Sequence, residues 1–304
     1  MKNISVVIPC LDEGLSIGKV VEDFKRFLPE AEIFVFDNAS EDNTTEEARN
    51  AGAKVVFSPH KGKGNVIRHI RDAIDTEIYI IVDGDNTYQL ENIRELVQIF
   101  NEDDIDMLIG NRLQDYSKNA FRKFHMIGNK SISLLVSILF RKKIRDVLSG
   151  FRIFNKTTLN ALYLKTNRFE IETEMTVQAI VKGFKIKEVP IKYTERNKGS
   201  RSKLNTFGDG TLIIKTLFTI FKNYNPFFFY LSFAVIFLIL SIFAGIGPII
   251  EYFDTGVVKQ VPRAVLASGL GIISIISFSL GLILDSLLNY HNELMKQILK
   301  CGKN

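Results

Sequence analysis

The sequence predicts an α/β fold with a mostly parallel, doubly wound sheet, followed by a hairpin of two transmembrane helices. Three observations support this prediction. Short apolar runs alternate with helix-spaced apolar residues over the first 110 residues, acidic or glycine-rich turns follow those runs, and two long uncharged runs lie near the end of the chain. Alternation of this kind is typical of parallel strands joined by right-handed helical crossovers.

Five apolar runs are predicted as strands, at residues 4–8, 33–36, 54–57, 78–82 and 107–109. Apolar residues at helical spacing lie between them and predict four helices. These helices carry Ile17 to Leu28, a segment from about Asp42, Val66 to Ile74, and Leu90 to Phe100. Ligands of open α/β sheets bind outside the carboxyl ends of the strands, so we expect the turns after the first four strands to meet at a binding site.

The most informative turn is Asp83-Gly84-Asp85-Asn86, which directly follows the fourth apolar run. Two carboxylates one residue apart at a strand end suit a divalent cation that carries a phosphorylated substrate such as a nucleotide diphosphate. The same four residues are also ordinary turn chemistry, so this motif does not decide the function alone.

A second turn, Lys61-Gly62-Lys63-Gly64, precedes the third helix. Its glycines would let backbone amides and a lysine approach a phosphate at the helix start. The turn lacks the fingerprints of nucleoside triphosphatases and of dinucleotide-binding enzymes, which disfavours the ATPase and dehydrogenase classes.

Two uncharged runs, at residues 227–250 and 264–284, match or exceed the roughly 20 residues that a membrane span needs. The second is rich in glycine and serine, which let membrane helices approach closely. We therefore predict a hairpin over residues 226–290, with spans at about 227–250 and 264–286. The α/β domain then occupies residues 1–204, a juxtamembrane amphipathic helix 205–225, and a tail 291–304.

Positive charge is concentrated on one side of this hairpin. It lies before the first run and after the second, at Arg196, Lys198, Arg201, Lys203, Lys215, Lys222, Lys296, Lys300 and Lys303. By the positive-inside rule the α/β domain and both termini are cytoplasmic, in an inner or plasma membrane. Residues 1–8 do not have the pattern of a signal peptide.

The remaining composition excludes some classes of function. Two cysteines fit a reducing compartment, and the net charge of +5 lies largely beside the membrane rather than in a nucleic-acid-binding patch.

Residues 121–140 mix basic residues with an apolar stretch that fits either a helix on the membrane surface or an ordinary core helix. A homo-oligomer is compatible with the sequence.

Taken together, these motifs resemble the inverting family 2 glycosyltransferases of the GT-A fold. Within them they resemble the polyprenyl-phosphate hexose synthases, similar to dolichol-phosphate mannose synthase and to bacterial undecaprenyl-phosphate enzymes with two C-terminal spans. The matching stretch runs from residue 6 to about residue 210. The resemblance implies transfer of a hexose from a nucleotide sugar, UDP more than GDP, to polyprenyl (undecaprenyl) phosphate for cell-envelope glycans, with Mg²⁺ or Mn²⁺.

The resemblance also assigns residues to the donor side of the site. Asp85 is implied as the direct metal ligand, and Asp83 as a neighbour of the metal, nucleotide or sugar. The other implied nucleotide contacts are Pro9, Leu11, Glu13, Asp37, Lys63 and Arg196. Where the family commonly has Leu-Gln after the second aspartate, this chain has Asn86-Thr87, so the third metal ligand is unassigned.

On the acceptor side, the implied phosphate contacts are Arg112, Arg122, Arg152 and Lys203. Arg112 and Arg152, with the two aspartates, make up the expected catalytic set. Glu170 and Glu172 are implied as residues that orient the sugar or those arginines. Met126 replaces a serine often found in the family, which weakens the assignment of Arg122.

Three alternatives stay open at this point. Transfer to a lipid hydroxyl would need a placed carboxylate as a base, for which Asp146 or Glu172 are candidates, whereas an acceptor phosphate is already an anion. A processive polysaccharide synthase would carry a Gln-x-x-Arg-Trp motif, and this chain has no tryptophan. An inactive membrane adaptor is the remaining alternative, disfavoured by the retained Asp83 and Asp85.

Overall fold

The structure, a computed structural model, describes residues 3–117, 123–196 and 206–301. The chain divides into two compact units, Met1–Leu217 and Phe218–Asn304. The first unit holds the sheet and the second holds two long apolar helices.

The first unit is built around a seven-stranded sheet. Its strands are β1 (Ile4–Cys10), β2 (Glu32–Asp37), β3 (Lys54–Phe57), β4 (Ile78–Ile81), β5 (Met107–Asn111), β6 (Arg152–Asn155) and β7 (Ile186–Pro190). Their order in the sheet is β3-β2-β1-β4-β6-β5-β7, and β6 alone runs antiparallel to its neighbours β4 and β5. The predicted mostly parallel α/β class is confirmed.

Helices connect the strands and cover the sheet. They are α1 (Ile17–Phe27), α2 (Thr44–Asn50), α3 (Lys63–Ala73), α4 (Ile93–Glu102), α5 (Lys123–Phe140), α6 (Lys156–Ala161) and α7 (Ile171–Val181). A further helix, α8 (Thr206–Tyr224), follows the last strand. The four helices predicted between the first five strands are α1 to α4, which confirms that part of the prediction. The boundary between the two units falls inside α8.

The core follows from the apolar periodicity of these elements. The runs of β1 and β4 are buried, and α1 packs Ile17, Val21 and Phe24 against them at helical spacing. Because the strand residues before Asp83 are buried in this core, the turn that carries Asp83 and Asp85 is held in a fixed position at the sheet edge.

Two strands and one short helix were not predicted. β6 has four residues, begins with Arg152 and ends with Asn155, and therefore lacks the apolar run by which the other strands were recognised. β7 lies at the sheet edge and contains only exposed and half-buried residues, and α6 has only six residues. Short elements with polar ends give little periodic signal.

The second unit is a helical hairpin formed by α9 (Pro226–Thr255) and α10 (Val261–Cys301). The segments Pro226–Thr255 and Val261–Tyr290 are long and apolar enough to cross a membrane. The first extends beyond the predicted 227–250, because the helix continues to a left-handed glycine at position 256. The predicted pair of C-terminal apolar helices is confirmed.

Small residues hold the hairpin together. Ser241 Oγ donates to the carbonyl of Ala267, and Ser274 Oγ donates to the carbonyl of Ala234, both at 2.7 Å. A Cβ atom on Gly281 would lie 3.2 Å from the Cβ of Tyr230, so glycine allows close approach there. This is the role that the sequence predicted for glycine and serine in an apolar helix pair.

Candidate active site

Asp83 and Asp85 lie in the turn after β4, at the carboxyl edge of the parallel strands. Ser16 Oγ donates to the carbonyl of Gly84 at 2.7 Å and fixes this turn to the start of α1. A Cβ on Gly84 would lie 2.5 Å from Cys10 Sγ, so only glycine lets the turn approach β1 so closely. The sequence thus positions both carboxylates from the sheet core outwards.

Asp85 is buried and bound on both of its oxygens. Arg196 Nη2 lies 2.6 Å from Oδ2, and the Thr87 hydroxyl donates to Oδ1 at 2.6 Å. Arg196 Nη1 also lies 4.0 Å from Glu13 Oε1. Burial, and then the charge of nearby Asp83, raise the pKa of Asp85 above its ordinary value.

Asp83 pairs with Lys63, which it shares with a second carboxylate. The Lys63 ammonium forms ion pairs with Asp83 and, at 2.7 Å, with Glu172 Oε1. Burial alone would raise the pKa of Asp83, but Lys63 holds that pKa below its ordinary value. A Cβ on Gly150 would lie 2.1 Å from Asp83 Oδ2, so the backbone at Gly150 forms one wall of this carboxylate's site.

The formal charges at this edge do not cancel. Among the described residues, two ion-paired clusters contain four carboxylates and two cations, namely Glu13, Asp83, Asp85 and Glu172 with Lys63 and Arg196. The difference, four minus two, leaves two negative charges. Together with the raised pKa of Asp85, this excess fits a divalent cation at the aspartate pair.

A cation there would have few ligands from the protein. Within the described residues, no group of three His, Cys, Asp or Glu side chains is arranged to hold a metal. Asp83 and Asp85 are the described residues that would hold such an ion. Mg²⁺ is commonly bound by one or two carboxylates plus substrate phosphates and water, so the residues present fit such an ion.

The turn before α3 serves a different purpose from the predicted one. Gly62 N donates to Asn38 Oδ1 at 2.7 Å, and Gly64 N donates to the carbonyl of Asn167 at 2.9 Å. A Cβ on Gly64 would lie 2.1 Å from the Thr166 carbonyl oxygen. The expectation that these two amides face a phosphate is therefore wrong: the glycines allow close packing, and the turn delivers Lys63 to the site.

The other predicted nucleotide contacts lie in the turns after β1 and β2. Asp37 ends β2 and accepts a hydrogen bond from Ser40 N at 3.2 Å, while Pro9 and Leu11 lie at the end of β1. The two turns are joined because Asp12 N donates to Ser40 Oγ at 2.9 Å. The structure therefore brings the turns of Pro9, Leu11 and Asp37 together on the predicted edge.

Arg112 follows β5 and is held by a fully buried carboxylate, Asp146. Its Nε and Nη2 each donate to Asp146 at 2.9 Å, and its guanidinium lies 5.5 Å from the ring centre of Tyr193. Burial disfavours the charge, but Asp146 outweighs it and raises the pKa of Arg112. The Asp146 pKa is lowered in turn, because the effect of Arg112 exceeds that of burial.

Arg152 does not lie where the sequence placed it. It is 0% exposed, and its Nη2 donates to the carbonyls of Val147 and Glu172 at 2.8 and 2.9 Å. Its other donors meet the Ser149 carbonyl, the Thr176 hydroxyl and Met107 Sδ. Burial lowers the pKa of Arg152 to about 10, so it stays charged at neutral pH. The expected contact with an acceptor phosphate is contradicted, because Arg152 instead ties β6 to α7.

The acidic residues at the N-terminal end of α7, including its N-cap Glu170, divide into two kinds. Glu174 accepts from the backbone of Lys165 and Thr166 and holds the preceding loop. Glu170 and Glu172 are also buried, but one carboxylate oxygen of each, Oε2, has no hydrogen-bond partner in the part of the chain that the structure describes. Burial raises the pKa of Glu172 although Lys63 opposes this shift.

Two predicted acceptor contacts, Arg122 and Lys203, lie outside the described residues. Sequence reasoning also missed two residues that shape the site. Thr87 binds Asp85, and the Tyr88 hydroxyl accepts from Gly150 N at 2.9 Å beside Asp83. The sequence signal that could have identified these two residues is their position directly after the aspartate motif.

The fold places acidic and basic side chains together at the carboxyl ends of parallel strands, the edge at which open α/β sheets bind their ligands. The family model "Glycosyl transferase family 2" matches residues 5–165, and the chain belongs to that family. It is thus a glycosyltransferase, and the GT-A class of its fold is confirmed.

Relatives agree with this placement. The glycosyltransferase AglJ of Haloferax volcanii is 30% identical over 97% of this chain and 97% of its own length. The dolichyl-phosphate hexose transferase of the same organism is 27% identical over 71% of this chain and 92% of its own. A solved structure of Mycobacterium tuberculosis glucosyl-3-phosphoglycerate synthase, in complex with Mn²⁺, UDP and glucosyl-3-phosphoglycerate, is similar in fold. Its TM-score is 0.60 at 21% identity, and the likeness covers 72% of this chain and 80% of that one.

Proposed function

We propose that this glycosyltransferase moves a hexose from a nucleotide sugar, UDP-linked more than GDP-linked, to polyprenyl (undecaprenyl) phosphate, with inversion at the sugar carbon. The observation that carries the proposal is the combination, in one chain, of two feature types: a site whose described ion-paired residues carry two excess negative charges, and two apolar helices long enough to cross a membrane. A relative named dolichyl-phosphate hexose transferase supports a polyprenyl-phosphate acceptor.

On the donor side, the departing diphosphate gains negative charge as the sugar leaves. Bound Mg²⁺ or Mn²⁺ would supply electrostatic stabilisation of that charge. Lys63 and Arg196 already contact the two aspartates, so their cationic groups lie beside the site where the diphosphate would develop its charge. Asp37, at the end of β2, is the proposed contact for the base and favours uridine.

On the acceptor side, a phosphate attacks as an anion and needs no strong base. We assign Arg112, which lies in the part of the chain that the structure describes, to this phosphate. Its guanidinium is oriented by Asp146, so it is held in one geometry before the lipid arrives. Arg122 and Lys203 remain proposed partners for the same phosphate.

A polyprenyl chain is costly to remove from a bilayer, since each buried methylene is worth about 0.8 kcal/mol. The enzyme must therefore work at the membrane. We assign the hairpin to an inner or plasma membrane, with the catalytic unit and both termini in the cytoplasm, in accord with the positive charge that flanks the two apolar runs.

Transfer to a hydroxyl is the second candidate, and one observation favours it. Glu172 Oε2 has no hydrogen-bond partner among the described residues, and the Glu172 pKa is raised by burial; both are properties of a general base. Asp146, the other candidate base, is excluded: it is fully buried and accepts four hydrogen bonds, three from Arg112 and one from Asn129.

The test uses purified full-length protein in detergent with undecaprenyl phosphate, Mg²⁺ or Mn²⁺, and a panel of radiolabelled UDP- and GDP-sugars. The proposal expects label from one donor in the organic phase, and none with Asp85→Ala or after chelation of the metal. Asp254→Ala, a change far from the aspartate motif in sequence, is the control and should transfer normally. Nucleotide-sugar binding without any lipid product would contradict the phosphate acceptor.

A further inference from the structure

The helix α7 carries acidic residues although its first nine residues, 171–179, are all buried. Residues two apart on a helix of about 3.6 residues per turn point to nearly opposite sides. Glu172 and Glu174 therefore meet different parts of the domain. A buried carboxylate is costly unless it is paired or hydrogen-bonded, so each of the two needs a partner of its own.

Glu174 binds the backbone of the loop that precedes α7. Its Oε2 accepts from Lys165 N at 3.0 Å, from Thr166 N at 2.9 Å and from the Thr166 hydroxyl at 2.7 Å. Gln178, one turn further on, donates to the carbonyl of Tyr163 at 2.7 Å and accepts from Tyr163 N at 2.8 Å. Two side chains of α7 thus fix the backbone of this loop.

The same segment, residues 163–167, holds the start of α3, and we call it the α7 loop. The carbonyl of Asn167 accepts from Gly64 N at 2.9 Å, and the carbonyl of Thr166 accepts from Arg68 Nη1 at 2.7 Å. Thr166 therefore gives its N–H group and its hydroxyl to α7 and its carbonyl to α3. The α7 loop connects the two helices through hydrogen bonds on both of its sides.

We propose that Glu174 is a positioning residue for Lys63. Glu172 contacts the Lys63 ammonium directly at 2.7 Å, whereas Glu174 acts through the α7 loop on the backbone from which that side chain extends. The helix α7 thus fixes Lys63 at both ends. The consequence rests on the proposed function: the ammonium paired with Asp83 is held in place before the diphosphate develops its charge, and a fixed cation needs no reorganisation at that moment.

Glu174→Gln is the most informative change, because it keeps the size of the side chain. Oε1 accepts from Gln178 Nε2 at 3.2 Å, and Oε2 accepts from two backbone amides and a hydroxyl. Whichever way the new amide is turned, its NH₂ group faces a donor that now binds an oxygen. The change therefore loosens the α7 loop, and with it the turn that carries Lys63.

The first measurement follows amide hydrogen exchange in the full-length protein without any ligand. Glu174→Gln should speed exchange of residues 61–66 by about tenfold and leave β1 and β4 unchanged. Asp106→Asn is the matched control, because Asp106 also binds a loop amide, Lys185 N at 2.8 Å, but at the start of β5. Unchanged exchange of residues 61–66 in Glu174→Gln overturns the inference.

A second variant serves if Glu174→Gln unfolds the whole domain. Arg68→Met removes the hydrogen bond to Thr166 from the α3 side and should also speed exchange of residues 61–66. Its matched control is Arg94→Met, since Arg94 Nε likewise donates to a backbone carbonyl, that of Phe27 at 2.8 Å. Equal exchange of residues 61–66 in these two variants overturns the inference.

A double-mutant cycle separates positioning of Lys63 from a general loss of structure. Equilibrium dialysis measures binding of radiolabelled UDP, and of GDP in parallel, in the presence of Mn²⁺. Lys63→Met and Glu174→Gln should each weaken binding about tenfold, and the double variant should bind no more weakly than Lys63→Met alone. Additive losses, about a hundredfold in the double variant, overturn the inference because Glu174 then acts independently of Lys63.

The two measurements are independent of the proposed acceptor. Dialysis uses no lipid, and hydrogen exchange uses neither lipid nor nucleotide. Failure to label undecaprenyl phosphate would therefore count against the proposed function alone, whereas unchanged exchange of residues 61–66 would count against the role of Glu174 alone.

Discussion

Replacing Asp146 with asparagine tests the most consequential polar contact of the catalytic unit. Asp146 is fully buried and accepts three hydrogen bonds from Arg112 and one from Asn129, each at 2.9 Å. An asparagine keeps the shape but offers one acceptor oxygen and places an amide donor against existing donors. It also leaves the Arg112 charge buried without its counter-ion.

The expected cost follows from that geometry. Removing one partner of a buried ion pair costs about 3–5 kcal/mol, because an uncompensated charge remains. For a domain of this size each kcal/mol lowers Tm by about 2–4 °C, so Asp146→Asn should lower it by roughly 6–20 °C. The assay is thermal unfolding of the detergent-purified protein followed by near-ultraviolet circular dichroism.

The control is Asp104→Asn, which removes an equivalent carboxylate from an exposed pair with Lys185. Exposed pairs contribute little, so this variant should melt close to the wild type. The Asp146 pKa is lowered in the folded state, so its contribution is present above the ordinary aspartate pKa of about 3.9 and is lost as pH falls below it. Equal Tm values for Asp146→Asn and wild type at neutral pH would refute the reasoning.

Three further predictions follow from the site. Lys63→Met should cut transfer strongly while Lys61→Met, in the same turn but exposed, should not; equal losses in steady-state assays would contradict the role of the Lys63 ion pairs. Gly64→Ala should destabilise the catalytic unit by about 1–3 kcal/mol through overpacking against Thr166, whereas Gly128→Ala, with nothing within 4 Å, should stabilise α5 by about 0.5–1 kcal/mol. Thermal unfolding should give a lower Tm for Gly64→Ala and a higher Tm for Gly128→Ala than for the wild type, and changes of the same sign would contradict the prediction. Arg152→Lys should lower Tm, because a lysine cannot supply the donors now bound to Val147, Glu172 and Thr176, and an unchanged Tm would contradict that role.

The first half of the fold could be predicted because each strand and helix there is marked by its own pattern of apolar residues. β1 to β5 are continuous apolar runs, and α1 to α4 carry apolar residues at helical spacing. β6 and β7 could not be found in this way. β6 is four residues long and opens on Arg152, and its place between β4 and β5 is decided by pairing rather than by its own composition.

The candidate site was likewise predictable from the sequence only in part. Motif spacing placed Asp83, Asp85 and Lys63 together at the strand ends, which the structure also shows. It could not reveal that Arg152 is enclosed, since the carbonyls that bind it come from distant parts of the chain, at Val147 and Glu172. Nor could it distinguish a glycine that admits a phosphate from one that admits a neighbouring loop, as Gly64 does.

The position of α5 is a further feature that the sequence alone did not decide. The sequence left open whether this segment is a core helix or a surface helix, because its apolar residues are numerous on several sides. The buried side holds the apolar Val136 together with Asn129 and Ser133, whose polar partners lie in the segment from Ile144 to Val147 and are not encoded by helical periodicity.

The central claim is that the acceptor is a lipid phosphate. The most direct measurement supplies the same radiolabelled nucleotide sugar with either undecaprenyl phosphate or undecaprenol and compares label in the lipid phase. We predict a labelled lipid only with the phosphate, and its loss in Asp85→Ala. Equal or greater labelling of undecaprenol would contradict the account and would assign Glu172 as a base for a hydroxyl acceptor.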